Sequence, residues 1–335
     1  MVSSGSHKCL LIVIQRRISM KQVTLKLAVL SALSAISMQS YATGFVNLPT
    51  TGFPVSGGTS AYTLCNTTGN FGSGITTKPT PSANNTCAVF PSSEIAAPET
   101  GFSFVASASR PVVMNNIYTG NTNKTVGTVT EYVWRRQTGS TYECIYGAKV
   151  VNNSTDYNTI ASGNQYFEVN GIARGGFAGL PVDVAYSTIP VVSDPVYRIG
   201  RAYTSVQHRS SSYAAQPLTG LGSYPSINGL NSYPGTASPT QQLADIHPNW
   251  VEFTTDVNFL DDDGSSVAAS GMVYVKTTCS SAAPSTSEHD EAIRLRQTFQ
   301  ELSGDGITDN PFIEVKVRGF VPPGGSITPA HTDPY

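Results

Sequence analysis

The chain has 335 residues, a formal net charge of −2 and 13% charged residues, about half the charged share usual in soluble domains. No long basic block is present, the longest basic run beyond the leader being Arg135-Arg136, which excludes a nucleic-acid partner because phosphate binding needs clustered Lys and Arg. Abundant Gly (30), Pro (21) and Tyr (16) among runs of Val, Ile, Phe and Trp favour a folded protein of short strands and many turns over a disordered one.

The first 42 residues read as a leader. Met20-Lys21-Gln22-Val23-Thr24-Leu25-Lys26 is a positive start, Leu27–Met38 an apolar stretch, and Ser40-Tyr41-Ala42 a small-residue cleavage site. That order is a Sec signal peptide of bacterial type over 20–42, with cleavage expected after Ala42. Met20 is read as the true start and residues 1–19 as non-native. An extended leader is the alternative, since Cys9–Ile14 followed by Arg16-Arg17 is itself apolar and then basic. No transmembrane span is expected, because no later apolar run is long enough.

Residues 43–100 form a loop-rich segment whose strands must be short, at Ala61–Leu64 and Ala88–Phe90. The main β domain is expected over 101–335. It starts with strands at Phe102–Ala106 and Val112–Tyr118. A hairpin follows, Thr125–Arg136 turning through Gln137–Ser140 into Thr141–Val151. Further strands are expected at Tyr166–Ile172, Val182–Tyr186 and Val196–Val206. The cleanest alternation is Val251-Phe253-Thr255-Val257-Phe259. Asp261-Asp262-Asp263-Gly264 is then read as the turn of a second hairpin returning along Val267–Cys279. Alternation of this kind implies one buried and one wet face, as in an antiparallel sandwich. Ser287 followed by Asp290 resembles a capping box, and Leu295, Phe299 and Leu302 recur at helical spacing, so one α-helix is predicted over 287–302. Phe312–Val321 is the last strand. The fold class is therefore mainly β, an antiparallel β-sandwich-like assembly with one late α-helix.

Beyond the leader four cysteines remain, Cys65, Cys87, Cys144 and Cys279. An even number in an exported protein reads as two disulfides, for which three pairings exist. The preferred set is Cys65–Cys87 as a short clip and Cys144–Cys279 as a long-range bridge. Metal binding by these cysteines fails on spacing, with no CxxC and no Cys/His cluster.

Candidate chemistry is sparse. Asp261 and Asp263 are calcium candidates, but the loop lacks the first and the last ligand of an EF-hand, and a solvated turn is the preferred reading. Asp305 and Asp309 are a second candidate of the same kind. His208 and His247 could serve a hydrolytic site, yet no GxSxG elbow marks a nucleophile, and a surface or capping role is the preferred reading. The 208–246 stretch is too long for an ordinary connection. Its Tyr213, Tyr224 and Tyr233 among Ser, Asn and Gly suit a recognition surface, or equally a loop whose tyrosines pack on its own sheet. The sequence thus points to a secreted or cell-surface protein, non-enzymatic, with a structural or adhesive/binding role. Its expected partners are a glycan or a protein at a surface, or further copies of itself added strand by strand from segment 43–60. The alternative is a secreted hydrolase with a dispersed active site. No cofactor is called for, calcium being the one candidate.

Overall fold

The computed structural model describes residues 44–55, 58–65, 78–116, 118–159, 162–188, 193, 196–203, 246–260, 267–284, 287–297 and 313–327. Residues from Ala42 onward form one compact unit. Its strands are β1 (Val46–Asn47), β2 (Phe53–Val55), β3 (Gly58–Ser60), β4 (Tyr62–Leu64), β5 (Ser103–Met114), β6 (Lys124–Thr138), β7 (Thr141–Asn152), β8 (Val169–Arg174), β9 (Asp183–Ser187), β10 (Arg198–Gly200), β11 (Val251–Val257), β12 (Met272–Cys279), β13 (Glu288–Gln297) and β14 (Ile313–Phe320). Two six-stranded sheets result, in the orders β1-β9-β12-β7-β6-β5 and β14-β13-β8-β11-β10-β4, beside a β2-β3 hairpin. All ladders between named strands are antiparallel. The loop-rich segment is thereby built into the main fold, β1 closing one edge of the first sheet and β4 one edge of the second.

Alternation explains the shared core. In the first sheet Val129 and Val133 of β6, Tyr146, Ala148 and Val150 of β7, and Val273 and Val275 of β12 point inward. They meet Ile172, Phe253, Ile293, Leu295 and Val315 of the second sheet in one buried cluster. The β6-β7 hairpin turns through Gly139-Ser140, with Thr138 paired to Thr141 and Gly139 at φ 62°, where a residue without Cβ is favoured.

The two flanks of the sandwich are closed by different chemistry. On one flank Cys65, just after β4, is bonded to Cys87, whose carbonyl accepts the Tyr186 N–H of β9. This disulfide therefore staples the second sheet to the first. On the other flank Glu131 of β6, fully buried, accepts Arg110 of β5 at 2.5 Å and Arg174 of β8 at 2.7 Å. The Phe320 N–H of β14 also donates to this carboxylate, at 3.2 Å. Arg110 continues to Glu288 of β13 at 3.2 Å. A three-way ionic latch thus joins the sheets where β5 and β14 run side by side. The second disulfide, Cys144–Cys279, lies within the first sheet, between the neighbouring strands β7 and β12.

Strand β5 is a terminal strand of 12 residues, a template for unwanted pairing unless blunted. It carries the blunting devices itself: Pro111, the latched Arg110, and bulges at Phe104/Ala106 and Val112/Val113. The two strands expected here are one, because proline is tolerated on an edge strand.

Three expectations are corrected. The predicted helix over 287–302 is a strand through Gln297, pairing with β8 and β14, and residues 298–302 lie outside the described set. Ile293-Arg294-Leu295-Arg296 has a period of two: Ile293 and Leu295 enter the core while Arg294 and Arg296 meet carboxylates on the opposite face. That tertiary pairing overrides the helical spacing of Leu295, Phe299 and Leu302. The expected hairpin between Val251–Phe259 and Val267–Cys279 is also replaced. Strand β11 pairs with β8 and β10, whereas β12 pairs with β7 and β9 in the other sheet, so this connection crosses between sheets. The predicted strand at Ala88–Phe90 is reduced to a single parallel bridge, Ala88 to Tyr186.

Candidate functional site

The outward faces of the sheets are the places where side chains with chemistry gather. On the first sheet the outer face is aromatic. Phe104, Tyr132, Trp134, Tyr274 and Phe45 form a continuous track with successive ring centroids 6.5, 5.7, 5.8 and 6.3 Å apart. Trp134 packs against Gly147, where a Cβ would stand 2.8 Å from its ring. The segment after Cys87 covers the track, with Trp134 Nε1 donating to the Ile95 carbonyl at 2.8 Å. Glu94 pairs with Lys149 and Glu99 with Lys276 and Arg136, and Arg136 sits over the Phe102 ring at 4.3 Å. Phe104 and Ile95 remain exposed at 47% and 58%.

On the second sheet the outer face is ionic, and it is buried too. Tyr62, Arg198, Glu252, Arg294, Arg296, Glu314 and Tyr203 are all at most 4% exposed. The register explains their meeting. Glu252 stands between Gly200 and Ala173, and Ala173 faces Arg294; Thr254 stands between Arg198 and Gly171, and Gly171 faces Arg296. Glu252 Oε2 accepts the Tyr62 hydroxyl at 2.7 Å and lies 3.1 Å from Arg296 Nη2. Glu314 accepts Arg294 at 2.7 Å and the Tyr203 hydroxyl at 2.9 Å. Arg294 also reaches Glu291, at 2.6 Å. The arginines lie over rings, Arg296 over Tyr203 at 4.9 Å and Arg294 over Trp250 at 5.8 Å, geometry that favours guanidinium groups over ammonium.

Burial shifts Glu252 and Arg198 on this face. It pushes the Glu252 carboxyl above the usual carboxylate range, against the pull of Arg296 and the Tyr62 hydrogen bond. It also lowers Arg198 to about 10, countered by Tyr62 and Glu252. Glu252 can therefore hold a proton more readily than an exposed carboxyl, with the Tyr62 hydroxyl fixed on one oxygen. A Cβ at Gly171 would collide with Glu252 Oε1, so this glycine makes room for the carboxylate.

The histidines are differently used. His247 Nδ1 accepts the Asn249 N–H at 3.1 Å, and burial holds its pKa below the usual value. His289 Nδ1 accepts the Glu291 N–H at 3.5 Å. Tyr213, Tyr224, Tyr233 and His208 lie outside the described residues, as do Asp261, Asp263, Asp305 and Asp309. Among the described residues no cluster of His, Cys, Asp and Glu is arranged to hold a metal ion, and no helix is long and apolar enough to cross a membrane. The four cysteines are brought together in two bonded pairs, which suits an oxidising, exported compartment.

Sequence reasoning missed both charged assemblies. The signal for the outer one was the Arg–apolar alternation of Ile293-Arg294-Leu295-Arg296 beside Glu314 in Ile313-Glu314-Val315. Nothing in the sequence marked Glu131 as the latch. No family model, curated protein or solved structure matches the chain.

Proposed function

We propose that the chain is an exported, non-enzymatic β-sandwich protein with a structural or adhesive binding role outside the cytoplasm. The observation that supports this reading best is the use of its buried ionisable groups. Glu131, Glu314, Arg110, Arg174 and Arg294 tie strand to strand and sheet to sheet, and the cysteines do the same covalently. Such a build favours mechanical persistence in an oxidising medium. The exposed rim of the aromatic track, where Phe104 and Ile95 stand clear of the buried Trp134 and Tyr274, is the surface best suited to contact a glycan or protein partner. A secreted hydrolase is the competing class. It draws on Glu252, because a protonatable carboxyl bearing a tyrosine hydroxyl is suited to proton donation.

Fractionation of cells expressing the full chain, followed by intact mass analysis and binding to glycan arrays, tests the proposal. The expected result is an oxidised chain beginning at Thr43 outside the cytoplasm, with binding weakened by Phe104→Ala. A reduced chain retaining its leader in the cytoplasm overturns export. Hydrolytic turnover abolished by Glu252→Gln overturns the non-enzymatic role.

A further inference from the structure

The first residues of the folded unit are held as though they were a bound peptide. Val46 and Asn47 of β1 pair antiparallel with Val184 and Asp183 of β9. The ladder continues past Asn47, Leu48 N–H donating to the Val182 carbonyl at 2.8 Å, and on the other side Gly44 N–H donates to the carbonyl of Ala88, beside β9, at 3.0 Å. Leu48 is 1% exposed and belongs to the shared core. Phe45 packs on Tyr274 with its ring centroid 6.3 Å away, beneath Lys276 Nζ at 4.6 Å.

The Leu48 carbonyl is gripped separately. Arg201, 1% exposed, directs its three nitrogens to backbone carbonyls: Nε to Leu48 at 2.9 Å, Nη1 to Pro248 at 3.2 Å and Nη2 to Leu180 at 2.5 Å. A main-chain ladder, an alternate side chain in a pocket and a cationic clamp on a carbonyl are the elements of strand addition at a sheet edge. Every one of these contacts is made to residues remote in sequence from 44–48. A hinge follows at once: Pro49-Thr50-Thr51-Gly52 is a turn with Gly52 N–H bonded to the Pro49 carbonyl at 3.0 Å, and its two threonines are exposed. The same contacts are therefore available to an identical segment arriving from another chain, once the turn opens and Gly52 leaves its packed position beside Ser60, Thr59 and Ile246.

We propose that the β9 edge, bounded by Arg201 and by residues 87–89, is a strand-accepting groove whose occupant in an assembly is segment 44–48 of a second copy. Each copy then donates one strand and accepts one. Such a head-to-tail contact closes into a ring or grows into a filament. This deepens, and rests on, the structural role proposed above. The groove is filled by Phe45, Val46 and Leu48 of this sequence, which favours an identical segment over an unrelated peptide as its occupant.

The test uses the full chain carrying Asn47→Cys and Asp183→Cys. These partners form a close, non-hydrogen-bonded pair, because the adjacent Leu48–Val182 pair carries the ladder bond. Isotope-light and isotope-heavy chains are refolded together at high concentration, oxidised, and the 47–183 links mapped by mass spectrometry. The expected result is mixed-label links, absent when the two populations are refolded apart and then mixed. Links confined to one label overturn the exchange. Should the double variant not fold, light scattering on the unaltered chain decides. Mass that rises with refolding concentration supports exchange, and a single-chain mass at every concentration overturns it. Because cell fractionation tests export independently, exchange and export fail separately.

Discussion

The two flanks of the sandwich do the same task by different means. On the β4/β9 flank a disulfide ties the sheets together, and its strength depends on the redox state of the surroundings. On the β5/β14 flank a carboxylate between two arginines ties them, and its strength depends on burial. A covalent clip acts chiefly on the unfolded chain by restricting it. An ionic latch acts on the folded chain, and is costly mainly when one partner is removed and the others stay buried. The two closures should therefore fail under different treatments and in different places.

The largest effect is expected at the latch. Glu131→Ala leaves Arg174 buried with its carboxylate gone, and should cost about 3–5 kcal/mol in denaturant unfolding. A loss of under 1 kcal/mol would mean that Arg174 is satisfied by the Phe320 carbonyl alone. Next comes the clip. Cys65→Ser combined with Cys87→Ser should lose roughly 3 kcal/mol for a separation of 22 residues, and that variant should respond less to reductant than the parent. Gly171→Ala should cost about 1–3 kcal/mol by pushing Glu252 aside, with no change at either flank by hydrogen exchange. Arg110→Ala should cost less than Glu131→Ala, about 1–2 kcal/mol, because Arg174 and the Phe320 N–H still hold the carboxylate.

A pH effect completes the set. Burial raises the Glu252 pKa in the folded protein, so the folded state binds this proton at a pH where the unfolded state has already lost it. Its contribution to stability is full below the ordinary carboxylate pKa and is lost as pH rises through the folded value. Mild acidification should therefore stabilise the parent relative to Glu252→Gln. A stability difference between the two that stays constant with pH would contradict the assignment.

These contrasts also show what the sequence could carry. The β6-β7 hairpin was legible, since Val129 and Val133 alternate cleanly and Gly139 supplies the turn. So was strand β14. Both cysteine pairs match the preferred pairing read from the sequence. Strand β13 was not legible, because alternating Arg with Ile and Leu reads as a wet strand or as a helix face unless the carboxylates opposite are known. Glu252 and Glu314 come from β11 and β14, which the folded sheet places on either side of the β13-β8 pair. For the same reason the polar positions of β11 were assigned to solvent, whereas Glu252 and Thr254 are fully buried. The β11-to-β12 connection misled because an Asp-Gly turn signals a reversal but not whether the returning strand stays in the same sheet. The ionic latch joins Arg110, Glu131, Arg174 and Phe320, a set of separations to which no local pattern corresponds.

Segment-resolved hydrogen exchange on the full chain, with and without reductant, tests the two-flank account most directly. Reduction is expected to raise exchange in 44–48, 62–65, 87–89 and 183–187, and around Cys144 and Cys279 of the second disulfide, while 103–114 and 313–320 stay protected. Glu131→Ala under oxidising conditions is expected to give the reverse pattern. Uniform loss of protection across both flanks under either treatment would contradict the claim that the sandwich is closed by two separate devices.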